Sequence, residues 1–157
     1  MQLVTQKEAI DLSSIIKQLV TNIFIYVCKY DYTLQQNKAI MKTRLCNLSP
    51  KELRDWLLDR SKPTLLIDVR EDQELDIAPF PSKEVVHLPL SQSSRWMDNL
   101  PELFQTANRT VVLCHSGIRS MQFASWLLEE GWLNEVWNLD GGIDAWSVEV
   151  DPTIPRY

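Results

Sequence analysis

Residues Thr110–Ser120 read Thr-Val-Val-Leu-Cys-His-Ser-Gly-Ile-Arg-Ser, and no other stretch narrows the folds open to this chain as far. The apolar, β-branched run Val111–Leu113 stops at Cys114. A polar turn containing Gly117 follows, and a helical pattern starts at Arg119. Strand, tight loop and helix together form the unit of open α/β sheets, whose ligand crevices lie at the carboxyl ends of the strands. The pattern predicts that Cys114 sits at such an edge.

A loop that curls from a strand into a helix aims successive backbone N–H groups at one point, and the helix N-terminus adds positive potential there. An anion is favoured at that point, and a thiol at the rim of the cradle is favoured as its thiolate. The amides of His115, Ser116, Gly117, Ile118, Arg119 and Ser120 are the expected binding groups, with Cys114 as the nucleophile. Arg119 adds a fixed cation and a planar fork of donors, suited to an oxyanion of sulfur, phosphorus or arsenic. The His115 side chain either exchanges a proton with substrate or leaves that role to its N–H. The competing reading of Cys114 is a small buried hydrophobe at a strand end. An inert core cysteine has no need of a polar, glycine-containing turn directly after it.

The rest of the chain alternates strand and helix. Ser49, Pro50 and Glu52 form a capping box that starts a helix running to about Arg60, with Leu53, Trp56 and Leu57 facing inward. Strands are expected over Thr64–Arg70, Val85–Leu90 and Glu135–Leu139, and short helices between Arg95 and Phe104. A further helix through Met121–Leu128 closes at Gly131, and Gly141 and Gly142 permit a tight turn before a helix carrying Ile143 and Trp146. Alternation of this kind predicts an α/β fold with a mainly parallel sheet and helices on both faces. Asp68 and Arg70 are expected to brace the loops as an ion pair, because a carboxylate acting as a base near the cradle would oppose the anion there. His87 is expected to be structural, and Val148–Tyr157 to form a tail across the surface.

The 157 residues fit one ordinary domain, and 16 basic against 21 acidic residues, with no basic stripe, argue against nucleic acid as the main partner. Cys28, Cys46 and Cys114 form no metal-ligand spacing, so neither a metal nor another cofactor is expected, and an odd thiol count points to a reducing, cytoplasmic setting. Residues 1–40 read as an extension carrying an amphipathic helix, with residues 41–157 as the domain. Lys17, Gln18, Thr21 and Asn22 interrupt its apolar stretch, which falls short of the ~20 residues of a transmembrane span. Met41 reads as a natural start, leaving open whether residues 1–40 have a function or precede the true initiation site.

Three ordered segments resemble the rhodanese family of sulfurtransferases: Cys114 to Arg119 with four residues between them, Asp68–Glu71, and Gly141–Trp146 with its paired glycines. The resemblance covers most of residues 44–147. It implies a single-domain, three-layer sandwich of about five strands, with Asp68, Arg70, Gly141 and Gly142 supporting the site. It also implies a persulfide on Cys114, a small sulfur-containing anion such as thiosulfate as donor, and a thiol, cyanide or protein acceptor. Pro79-Phe80-Pro81-Ser82-Lys83 departs from the turn common in that family. Two alternatives stand beside transfer: a non-catalytic rhodanese-like interaction module, and a cysteine phosphatase or arsenate reductase. The loop is one residue shorter than the phosphatase cradle, and Cys28 and Cys46 are poor resolving thiols for the reductase.

Overall fold

A computed structural model describes residues 43–82, 85–105 and 108–157. The helix expected over residues 1–40 lies outside the described residues. Five strands, β1 (Arg44–Leu48), β2 (Thr64–Asp68), β3 (Val85–His87), β4 (Arg109–Leu113) and β5 (Glu135–Leu139), pair in the order β1-β5-β4-β2-β3. Every pairing is parallel, so all the carboxyl ends lie along one edge. β4 is central, and the residue that follows it stands at the middle of that edge.

Alternation along each strand sorts side chains into two layers. Leu66, Val111, Leu113 and Leu139 join α1 (Pro50–Leu58) and α6 (Gly142–Glu149) through Leu53, Ile143 and Trp146. Ile67, Val112, Cys114 and Val136 face the opposite way, onto α5 (Ile118–Glu129), with Phe123, Ala124 and Leu127, and onto the short helices that include Leu100. The result is the expected three-layer α/β sandwich.

Local chemistry sets the element ends. Ser49 and Glu52 complete the capping box of α1, which stops at Leu58 rather than Arg60. β2 ends at Asp68, two residues short of the sequence expectation, because the Asp68 carboxylate accepts the Arg70 backbone N–H at 3.0 Å and turns the chain. β3 is an edge strand that stops at His87, ahead of Pro89, which has no N–H to offer. The acidic segment after Arg70 forms α2 (Asp72–Ile77). Helices α3 (Ser93–Trp96) and α4 (Leu100–Leu103), with intervening 3₁₀ turns, then lead back to β4. No described helix is long and apolar enough to cross a membrane.

Candidate functional site

Cys114 follows β4 directly, and its side chain continues the α5-facing row of that strand. The residue is wholly buried. Its sulfur is nevertheless not enclosed by hydrocarbon alone. Sγ accepts N–H groups from Gly117 at 3.2 Å and from Ser120 at 3.4 Å, and the Ser120 hydroxyl stands 3.3 Å away. Gly117 makes this approach possible. Its φ of +88° suits glycine, and a Cβ there would lie 3.1 Å from the Leu139 carbonyl oxygen.

The other loop residues turn outward or sideways. Ser116 and Ile118 are exposed. The His115 ring lies 4.3 Å from the Tyr157 ring, and its Nδ1 is buried without a hydrogen-bond partner. A shallow cavity of about 320 Å³ adjoins the loop at Ser116, Gly117, Ile118, Asn138 and Asp140. A larger hollow, of about 520 Å³, includes Thr64, the first residue of β2, and so lies at the amino-terminal edge of the sheet, opposite Cys114. It has no geometric link to the thiol.

The Gly141-Gly142 turn sets α6 against the back of the loop. Ile143 donates its N–H to the Cys114 carbonyl at 2.9 Å, and Asp144 donates to the His115 carbonyl at 3.1 Å. A Cβ on Gly142 would overlap both carbonyl oxygens, and its φ of +60° also disfavours a side chain. The Asp144 carboxyl is held below the usual range, chiefly by hydrogen bonds from Arg156.

Asp68 and Arg70 form a buried ion pair. Arg70 donates Nη2 to Asp68 Oδ2 at 2.7 Å and Nε to both carboxylate oxygens at 3.0 Å, while Nη1 reaches the Ala78 carbonyl. Both side chains are essentially inaccessible. The same Nη1 donates to the Tyr157 hydroxyl at 3.1 Å, and that hydroxyl donates to Glu74 Oε1 at 3.0 Å.

Glu74 is the residue that sequence reasoning passed over. Arg119 gives it Nη1 at 2.7 Å and Nη2 at 2.6 Å, so the fork expected to face an anion is occupied by a carboxylate. The Glu71 N–H adds a bond to Oε2. The Arg119 hydrogen bonds, against the opposing effect of burial, hold the Glu74 carboxyl at about 2, and the Arg119 guanidinium is correspondingly held above its usual range. Asn138 was also missed. Its Oδ1 accepts the Ser120 hydroxyl at 2.6 Å, and its Nδ2 donates to Asn47 Oδ1. Glu74 carried one signal, its place as the closing glutamate of a capping box begun at Glu71; Asn138 carried none. Among the described residues no group of three or more His, Cys, Asp or Glu side chains is placed to hold a metal ion.

The family profile described as "Rhodanese-like domain" matches residues 49–149. The chain is 45% identical over 92 residues to the chloroplastic rhodanese-like/PpiC domain-containing protein 12 of Arabidopsis thaliana, covering 59% of this chain and 30% of that protein. It is 34% identical over 111 residues to the probable adenylyltransferase/sulfurtransferase MoeZ of Mycobacterium tuberculosis, covering 70% of this chain and 26% of that protein. It therefore spans less than a third of either relative. The crystal structure of SSP1007 from Staphylococcus saprophyticus is 28% identical and superposes with a TM-score of 0.51, covering 67% of this chain and 96% of that one.

Proposed function

This chain belongs to the rhodanese-like domain family, and from that membership we propose that it moves a sulfane sulfur from a small anionic donor to a thiophilic acceptor through a persulfide on Cys114. The observation that carries the proposal is the surroundings of the sulfur. Two backbone amides and one hydroxyl converge on Sγ at the start of a twelve-residue helix, an arrangement that stabilises negative charge on sulfur.

In the first step the Cys114 thiolate attacks the outer sulfur of the donor. With thiosulfate, a new S–S bond forms to Cys114, the donor's S–S bond breaks, and sulfite leaves with the bonding pair. In the second step an acceptor such as cyanide attacks the outer persulfide sulfur, thiocyanate departs, and the thiolate returns. A thiol or a protein acceptor would enter in the same way. The amides of the loop from His115 to Ser120 hold the outer sulfur in this scheme, Arg119, paired with Glu74, adds positive charge beside the loop, and Asp68, Arg70, Gly141 and Gly142 keep the loop in shape. Cys114 is wholly buried, so the loop must open for the donor to reach Sγ.

Residues 41–157 would supply this activity, in a reducing setting such as the cytoplasm, where Cys114 remains a thiol. The test is thiocyanate production from thiosulfate and cyanide. The proposal expects activity in the native chain, none in Cys114→Ser, and no hydrolysis of an aryl phosphate. Complete burial of Cys114 favours a second reading, a non-catalytic interaction module. That reading expects no thiocyanate from the folded native chain.

A further inference from the structure

We propose that Glu74 tunes this site toward singly charged sulfane-sulfur donors and against dianions, which deepens the sulfur-transfer reading and rests on it. The Glu74 carboxylate takes one N–H from each Nη of Arg119, so the end-on, two-pronged face of the fork is already filled by an anion. Glu74 is itself held on four sides. Oε1 accepts from Arg119 and from the Tyr157 hydroxyl, and Oε2 accepts from Arg119 and from the Glu71 N–H. Its side chain is only 18% exposed, so water screens it incompletely.

Two other guanidiniums among the described residues already have carboxylate partners. Arg70 is buried against Asp68, and Arg156 is paired with Asp144. With a Cys114 thiolate, the sum over Cys114, Arg119 and Glu74 is one negative charge. Thiosulfate brings two more and releases sulfite, also a dianion. Methanethiosulfonate has the same sulfur arrangement with one charge. In its reaction the thiolate takes the outer sulfur, the donor's S–S bond breaks, and the pair leaves on methanesulfinate, a monoanion. The two donors differ chiefly in the charge that the mouth must accept. Glu74 acts through Arg119 and through its own field, so it is a specificity-determining positioning residue.

The experiment compares kcat/KM for thiosulfate and methanethiosulfonate, with cyanide as acceptor, in the native chain, E74Q and E74D. Persulfide on Cys114 is followed in parallel by intact mass spectrometry, and folding by thermal melting. Removing the charge should lower the ratio of methanethiosulfonate to thiosulfate efficiency by about fivefold or more in E74Q, while E74D, which keeps the charge, should hold the native ratio. If E74Q does not fold, E74S removes the same charge with a smaller side chain and should move the ratio the same way. A ratio that is unmoved in the uncharged variant, or that falls equally in E74D, overturns the role of Glu74 while leaving sulfur transfer standing. Absence of persulfide with both donors overturns sulfur transfer, and this inference with it.

Discussion

The Ser120 hydroxyl stands 3.3 Å from Cys114 Sγ and 2.6 Å from Asn138 Oδ1. One hydroxyl proton cannot serve both. Asn138 Nδ2 is tied to Asn47 Oδ1, which turns the amide oxygen toward Ser120. Placed between the two acceptors, the hydroxyl is available to donate to sulfur when sulfur carries negative charge.

The first prediction follows from that placement. Ser120→Ala removes the hydroxyl donor to an anionic sulfur and should slow persulfide formation about tenfold, a loss in keeping with one hydrogen bond to a charged group. Rapid-quench mass spectrometry with thiosulfate measures the rate. The amide donors of Gly117 and Ser120 remain, so the reaction should slow rather than stop.

The second concerns α6. Gly142→Ala sets a methyl against the carbonyl oxygens of Cys114 and His115 at a φ of +60°. It should destabilise the fold by about 2 kcal/mol or more, as expected for an overpacked position with an incompatible backbone. Urea unfolding followed by tryptophan fluorescence reads the change.

The third concerns the buried pair. Arg70→Met leaves the Asp68 carboxylate uncompensated in an inaccessible site and should cost about 3 to 5 kcal/mol, whereas Asp68→Asn with Arg70→Met should cost less because no orphaned charge remains. Denaturant midpoints of the two variants decide it.

The fourth is a pH dependence. The Glu74 carboxyl titrates at about 2 in the folded chain, against 4.5 as its ordinary value. A carboxyl depressed in the folded state contributes stability that is fully present above the unfolded value and is lost as pH falls toward the folded one. The melting temperature should therefore fall between pH 4.5 and pH 2, and E74Q should show a shallower fall across that window. An identical fall in both chains would mean that Glu74 is not the group responsible.

The parts legible in the sequence are those written in local pattern. The β4 run, the Gly117 turn and the start of α5 are adjacent in the chain. The Ser49–Glu52 box and the paired glycines before α6 are likewise short motifs with a direct backbone meaning. The partner of Arg119 is not local: Glu74 lies 45 positions away. Tyr157 reaches Glu74 across 83 positions, and Asn138 reaches Ser120, in the first turn of α5, from β5. Such pairs exist only once the sheet has brought the carboxyl ends of its strands together. β2 ends before the apolar run does for a local reason: that run extends through Val69, while the Asp68 side chain draws the Arg70 N–H out of the ladder.

Intact mass spectrometry of the native chain after incubation with excess thiosulfate and removal of small molecules tests sulfur transfer most directly. The expected result is a gain of one sulfur atom, mapped to Cys114, discharged by cyanide, and missing from Cys114→Ser while still present when Cys28 and Cys46 are replaced by serine. A folded native chain that gains no sulfur, or gains it on a cysteine other than Cys114, would contradict it.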